Sequence, residues 1–198
     1  MIFDLGGVLI DWDPRHLYRQ LFSDPSEMEA FLAEVTTAEW NSRQDEGRPW
    51  AEAIEELAAD HPEQRDLIEA FHRRWPEMLA GEIPGTVDVL RDVHSAGFRL
   101  LALSNWSSET FTFALERFEF LSWFEAIVIS GDVKARKPHP AIFEHVIEHF
   151  DVQPSSTVFI DDADANVEAA RMLGFLALRF VDAQALRRGL NQLGVLRR

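Results

Sequence analysis

Four short apolar runs in this chain lead into side chains that can do polar chemistry. The polar groups that end or follow them are Asp4, the pair Ser104-Asn105, Lys137 in the loop GDVKARKPHP, and the pair Asp161-Asp162. Carboxylate oxygens are ligands suited to Mg²⁺, and a carboxylate can also act as a nucleophile. A hydroxyl and an ammonium group can hold the oxygens of a phosphoryl group. These residue types therefore suit metal-assisted phosphoryl transfer, provided that the fold brings them together.

Each of these residues can be given a role in metal-assisted phosphoryl transfer. Asp4 and Asp162 could share a Mg²⁺ ion, which takes one or two carboxylates and keeps several waters. Gly6 could offer its backbone carbonyl as a further ligand, because no side chain blocks the approach. Lys137 and the Ser104 hydroxyl would then hold phosphoryl oxygens while Asp4 attacks phosphorus and forms an aspartyl-phosphate.

The pattern of elements indicates how these residues meet. Strands are predicted at 2–5, 98–104, 126–130, 157–161 and 175–180, and helices at 86–96, 140–150 and 163–173. Strands that alternate with helices predict an α/β fold with a doubly wound parallel sheet. In such sheets ligands bind at the carboxyl ends of the strands, near the point where the strand order reverses. The polar groups are expected to converge there.

A long helical segment interrupts this alternation after the first strand. Residues 14–81 read as helical, without convincing strands, and are too long for a simple crossover. We predict that 14–81 form a helical cap inserted over one end of the sheet, and that 1–13 and 82–198 form the core domain.

Composition excludes several classes of protein. With 19 Lys and Arg against 34 Asp and Glu, the formal net charge of -15 argues against a nucleic-acid partner. The chain has no cysteine, so disulfides and thiolate chemistry are ruled out. The sequence lacks a run of 18 apolar residues, which predicts no membrane association and a cytoplasmic location. Monomer and homodimer both remain open.

Taken together, the motifs resemble those of the haloacid dehalogenase-like superfamily. The matching residues are Asp4-Leu5-Gly6-Gly7-Val8, Ser104-Asn105, Lys137-Pro138, and Asp161-Asp162 with Asn166. The resemblance implies a Rossmann-like core with a helical cap, Asp4 as nucleophile, and Ser104 and Lys137 as phosphate binders. It also implies that Asp162 binds Mg²⁺ directly, with Asp161 and Asn166 in supporting positions.

One position departs from the phosphatases of this superfamily. They usually carry a second aspartate, the general acid and base, two residues after the nucleophile, and here that residue is Gly6. The branch similar to bacterial α-D-glucose-1-phosphate phosphatase has the same Asp-Leu-Gly and the paired aspartates. The resemblance therefore favours a Mg²⁺-dependent phosphatase of a small phosphorylated metabolite, a sugar phosphate in particular. The alternatives are a dehalogenase-type hydrolase with the same nucleophile and an inactive phosphate-binding module.

The absence of an aspartate at position 6 and the predicted helical cap lead to two further expectations. Without a proton donor, the rate should fall steeply as the leaving group becomes more basic, unless Asp11 or Asp45 supplies the proton. Substrate contacts are expected from Asn105, Trp106, Trp40 and Asp45. Trp106 directly follows Ser104-Asn105 and should point toward the cap, and Trp40 and the turn at Asp45 are the candidates within the cap.

Overall fold

The computed structural model describes residues 1–196, which contain seven strands. They are β1 (Ile2–Phe3), β2 (Ile10–Trp12), β3 (Leu79–Glu82), β4 (Leu101–Ser104), β5 (Ala126–Ile129), β6 (Val158–Asp161) and β7 (Leu176–Arg179). Five of them form a parallel sheet in the order β5-β4-β1-β6-β7. All five correspond to predicted strands, and the predicted α/β fold class is confirmed.

The order of the strands places β1 at the centre. The chain runs outward from β1 through β4 to β5, then crosses back to β6 on the other side of β1. The carboxyl ends of β4, β1 and β6 therefore lie side by side where the strand order reverses, which is the usual ligand-binding position in such sheets.

Eleven α-helices connect and cover these strands within the described residues. They are α1 (Arg15–Tyr18), α2 (Pro25–Glu34), α3 (Ala38–Asp45), α4 (Trp50–Asp60), α5 (Arg65–Arg73), α6 (Thr86–Ser95), α7 (Ser108–Arg117), α8 (Ser130–Val133), α9 (Pro140–His149), α10 (Asp164–Met172) and α11 (Ala183–Gln192). The three predicted helices correspond to α6, α9 and α10. Among residues 1–196, none of the helices combines the length and the apolar character needed to cross a membrane.

Side chains alternate between the two faces of the sheet, so each face has its own core. Ile2 packs in the cluster that includes Phe143 of α9, whereas the next residue, Phe3, packs in the cluster that includes Leu90 of α6 and Leu190 of α11. Every one of these side chains is fully buried. Helices therefore cover both faces, as the doubly wound prediction required.

The segment between β1 and β4 is helical but also contributes to a second, two-stranded sheet. There β2 pairs antiparallel with β3, with an irregularity between Asp11 and Trp12. The prediction that 14–81 lacks strands is wrong at its end, since β3 begins at Leu79. The sequence Leu-Ala-Gly-Glu has a low strand propensity, and its partner strand lies about 70 residues earlier in the chain, so local patterning gives no signal. The division into core and cap stays a prediction.

Candidate active site

The carboxyl ends of the central strands bring the predicted polar residues together. Asp4 directly follows β1, and its backbone N–H donates to the Ile160 carbonyl of β6 at 2.9 Å. Ser104 and Asp161 are the last residues of β4 and β6. Lys137 reaches the same place from the loop between α8 and α9. Reciprocal hydrogen bonds of 2.8 and 2.9 Å between its backbone and the Asn105 side chain hold that loop.

Asp4 is held by contacts to both of its carboxylate oxygens. Oδ1 accepts hydrogen bonds from the Leu5 backbone N–H at 2.7 Å and from the Ser104 hydroxyl at 2.8 Å. Oδ2 lies 2.9 Å from the ammonium group of Lys137, whose side chain is completely buried. The carboxylate is therefore fixed in one orientation at the bottom of the site.

Lys137 lies between two carboxylates. Its Nζ donates to Asp161 Oδ2 at 2.6 Å as well as facing Asp4. Burial alone would lower the pKa of Lys137, but the charges of Asp4 and Asp161 outweigh burial and raise its pKa. The lysine therefore stays charged.

The pKa of the Asp4 carboxyl is also raised, but here burial is the main cause. Burial raises the pKa of Asp4 to about 7, and the neighbouring Asp161 adds to this, while Lys137 and Ser104 partly oppose it. An acid with a raised pKa in the folded state is one whose negative charge is not fully compensated by the protein. The site is thus short of positive charge.

Three carboxylates gather where that charge is missing. Oxygen atoms of Asp4, Asp161 and Asp162 all lie within 4.8 Å of one another. Burial and the nearby Asp161 raise the pKa of Asp162 as well. One lysine cannot balance three carboxylates, and an all-oxygen donor set suits a hard divalent cation. The residues present therefore fit Mg²⁺.

The two adjacent aspartates are used differently by the protein. Asn166 Nδ2 donates to both Asp161 oxygens at 3.0 and 3.1 Å, and the Ala163 N–H donates to Oδ1 at 2.9 Å. Because Lys137 also binds Asp161, both oxygens of the Asp161 carboxylate are occupied by contacts within the protein. Asp162 stays available, which supports the prediction that Asp162 binds the metal and that Asp161 and Asn166 orient the site.

The two glycines after Asp4 have different steric requirements. A Cβ atom on Gly7, whose φ is +74°, would lie 2.5 Å from Asp162 Oδ2, so only glycine allows this close approach. A Cβ atom on Gly6 would meet no atom of the described structure within 4 Å. Packing therefore requires a glycine at position 7, whereas the space beside Gly6 is open. The Gly6 carbonyl as a metal ligand stays a prediction.

A small cavity of about 50 Å³ opens above this end of the sheet. It is lined by Gly6, Trp12, Asn41, Asp45, Trp75, Asn105 and Trp106. Four of these were predicted as site residues, whereas Trp12, Asn41 and Trp75 were not. One detectable signal was the spacing of Asn41 and Asp45, which are four residues apart on α3 and so share a face of the helix.

The predicted contact residue Trp40 lies elsewhere. It precedes Asn41 by one residue, a turn of about 100° around the helix, and its side chain is only 8% exposed. Its ring packs at 5.5 Å from that of Trp50 and 5.3 Å from that of Phe71. The structure thus places Trp40 in the same apolar core as Phe3 and Leu90 and not against this cavity, which corrects the expectation of a substrate contact.

Comparisons of sequence and structure show which known proteins this chain resembles. A family model of haloacid dehalogenase-like hydrolases matches residues 1–174. The chain is 28% identical over 183 residues to a phosphorylated carbohydrates phosphatase of Thermotoga maritima, covering 88% of this chain and 81% of the relative. It is 29% identical over 188 residues to the fructose-1-phosphate phosphatase YqaB of Escherichia coli, covering 90% and 94%. A HAD family enzyme of Bacteroides thetaiotaomicron, solved as a magnesium complex, superposes with a TM-score of 0.70 at 23% identity over 92% of each chain.

Proposed function

The chain belongs to the haloacid dehalogenase-like hydrolase family, and from this we propose that it is a Mg²⁺-dependent phosphatase that acts on a small sugar phosphate through an aspartyl-phosphate intermediate. The observation that carries the proposal is the contact of the Asp4 carboxylate with Ser104 and Lys137 beside two further aspartates. That set holds a nucleophile, phosphate-binding donors and metal-ligand oxygens at one point.

The mechanism follows from these groups. The phosphoryl group of the ester binds against the Lys137 ammonium and the Ser104 hydroxyl, whose single O–H then donates to a phosphoryl oxygen instead of to Asp4. Lys137 and the Leu5 N–H keep the Asp4 carboxylate pointed at phosphorus. An oxygen of Asp4 forms a bond to phosphorus while the ester bond breaks, and the ester's bonding electrons leave with the alcohol oxygen. Water then attacks the phosphorus of the aspartyl-phosphate, and the bond to Asp4 breaks to restore the carboxylate.

Metal binding has a defined place in this scheme. When bound by Asp4, Asp162 and the Gly6 carbonyl, Mg²⁺ would supply the positive charge that lets a carboxylate approach a phosphate dianion. Asp161 contributes indirectly, because its hydrogen bonds to Lys137 and Asn166 hold the lysine in position.

Removing a metal ligand should change the magnesium requirement. We expect Asp162→Ala to raise the Mg²⁺ concentration for half-maximal phosphatase activity on the order of 10-fold or more, because few protein ligands hold the ion. Asp164→Ala is the matched control: its side chain is 74% exposed and paired with Arg179, so its magnesium curve should match the wild type. Activity that resists both EDTA and Asp162→Ala would point instead to the dehalogenase-type alternative.

The cavity supports a hydroxylated leaving group. Trp12, Trp106 and Asn41 line it. Their indole N–H groups and the Asn41 side-chain oxygen are buried and have no hydrogen-bond partner within residues 1–196. Buried polar groups normally have a partner, so two donors and one acceptor fit a ligand that carries hydroxyls. Two relatives are named as phosphatases of a phosphorylated carbohydrate or fructose 1-phosphate, which supports the same substrate class.

Replacing the two indole side chains should alter the substrate preference more than the rate of the chemical step. Trp12→Phe and Trp106→Phe keep an aromatic ring and remove one donor each. We expect kcat/KM on the preferred sugar phosphate to fall about 10-fold for each variant, the usual value of one hydrogen bond, with little change on an aryl phosphate. The Trp40→Phe control also removes an indole N–H, but outside the cavity. An equal loss of kcat/KM on all substrates, or the same change in selectivity in Trp40→Phe, would show that the cavity does not recognise the hydroxyl groups of the substrate.

A further inference from the structure

The open space beside Gly6 leaves the proposed reaction without its usual proton donor. Departure of a sugar alkoxide is costly unless an acid protonates the leaving oxygen. Two other carboxylates were candidates, Asp11 and Asp45. Only Asp45 lines the cavity that Gly6 also lines.

Asp11 has a different environment. It lies on β2, its side chain is 49% exposed, and its carboxylate lies 3.1 Å from His16 Nε2. It is absent from the cavity lining among the described residues. A solvent-facing carboxylate with a histidine partner is poorly placed to protonate a substrate inside the cavity.

Asp45 is held at the boundary between the cap helices and the core. It is the last residue of α3, and Asn41 Nδ2 donates to its Oδ2 at 3.3 Å. The backbone of Ser107, three residues after Ser104, is near enough to the carboxylate to lower its pKa. The Ser130 hydroxyl donates to the Asp45 backbone carbonyl and accepts from the backbone N–H of Trp106 at 2.9 Å, which joins Asp45 to the segment that follows β4.

The surroundings of Asp45 keep a proton available near neutral pH. Burial raises the pKa of Asp45 to about 7, while Arg136 and the Ser107 backbone oppose this and Glu46 adds to it. Arg136 is itself bound to Glu46 at 3.0 Å, so its charge is shared and does not fully ionise Asp45. A carboxyl group of this kind is matched to acid–base catalysis at physiological pH.

We propose that Asp45 is the general acid and base of this phosphatase and takes the role that an aspartate at position 6 would have. The inference rests on the proposed function. In the first step the ester P–O bond breaks, its electron pair stays on the leaving oxygen, and that oxygen takes the proton of Asp45. In the second step the Asp45 carboxylate accepts the proton of the water that attacks the aspartyl-phosphate.

The sequence predicts a rate that falls steeply with leaving-group basicity, and Asp45 as the acid changes that expectation. With an acid in place, the wild-type rate should depend only weakly on leaving-group basicity. The dependence should become steep in Asp45→Asn, which keeps the volume of the side chain and the acceptor oxygen but carries no acidic proton.

The test is kcat/KM at saturating Mg²⁺ across aryl, sugar and alkyl phosphates. We expect Asp45→Asn to lose about 10²–10³-fold on alkyl and sugar phosphates and much less on aryl phosphates with acidic phenols. In the wild type, kcat/KM on the basic leaving groups should fall as pH rises above about 7, because Asp45 loses its proton, and this limb should be absent in Asp45→Asn. Asp11→Asn is the control and should behave as the wild type.

A second variant distinguishes the loss of the acid from a general disruption of the site. In the double variant Gly6→Asp with Asp45→Asn, a carboxyl group enters the open space beside Gly6, and activity on alkyl phosphates should recover at least 10-fold over Asp45→Asn. Uniform losses on all esters, or no recovery, would overturn the role of Asp45 while leaving the phosphatase itself intact. A wild-type protein that hydrolyses no phosphate ester would instead overturn the proposed function.

Discussion

Asp4→Asn is expected to lower kcat on every phosphate ester on the order of 10⁴-fold or more, because an amide cannot replace the carboxylate nucleophile. The fold should survive. The amide oxygen can still accept the hydrogen bonds that the Leu5 N–H and the Ser104 hydroxyl donate to Oδ1. Lys137 keeps its 2.6 Å contact with Asp161. The measurement is steady-state turnover at saturating Mg²⁺, with the urea unfolding midpoint recorded alongside.

A second substitution separates chemistry from packing at this position. Asp4→Ala removes the hydrogen bonds as well as the nucleophile, so it should be equally inactive and less stable than Asp4→Asn. More than a few per cent of wild-type activity in either variant, with contamination excluded, would contradict covalent catalysis by Asp4.

Lys137→Met should have the largest effect on stability. The substitution removes the buried ammonium group and leaves the Asp4 and Asp161 carboxylates facing each other without their shared partner. Breaking a buried ion pair on one side costs about 3–5 kcal/mol of unfolding free energy. Loss of a phosphate-binding donor should also lower kcat about 10²–10³-fold. Urea denaturation in EDTA and steady-state kinetics measure the two effects.

The loss of stability should depend on pH in a defined direction. The pKa of Asp4 is already raised to about 7 and should rise further without the lysine, so the folded state binds protons that the unfolded state releases. A carboxyl group with a raised pKa destabilises the fold above its unfolded pKa, and this penalty fades as pH falls toward about 4. The difference between Lys137→Met and wild type should therefore shrink on acidification.

Lys134→Met is the matched control for that experiment. Lys134 is an exposed lysine in the same segment, and its ammonium group contacts only the Gly47 carbonyl at 3.3 Å within residues 1–196. Its removal should change the unfolding free energy by less than about 1 kcal/mol. Similar losses in both variants would mean that the buried ammonium group does not stabilise the site.

The sequence predicted the core of the site because topology and residue type agree there. Short apolar runs rich in strand-forming residues located all five strands of the parallel sheet, and polar residues at strand ends converge by the geometry of such sheets. Asp4, Ser104, Lys137 and Asp161 can therefore be identified from the sequence, since few arrangements other than a ligand site bring such groups together.

The segment between β1 and β4 was predicted less well because its residues are positioned by tertiary contacts. Trp12 reaches the cavity from β2, whose partner β3 has little local strand signal, and Trp75 begins a short 3₁₀ helix (Trp75–Met78) before β3. Trp40 and Asn41 are adjacent in the sequence, yet Trp40 packs in the apolar core and Asn41 lines the cavity. Which face of a short helix meets the core is decided by packing partners that are distant in the sequence.

Trapping the phosphoryl-enzyme tests the central claim most directly. Protein mixed with ³²P-labelled substrate and Mg²⁺ is quenched in acid within the first turnover, digested, and the labelled peptide identified. We predict label in the peptide that contains Asp4, dependent on Mg²⁺ and absent from Asp4→Asn. Label on a different residue, or label that persists in Asp4→Asn, would contradict the account.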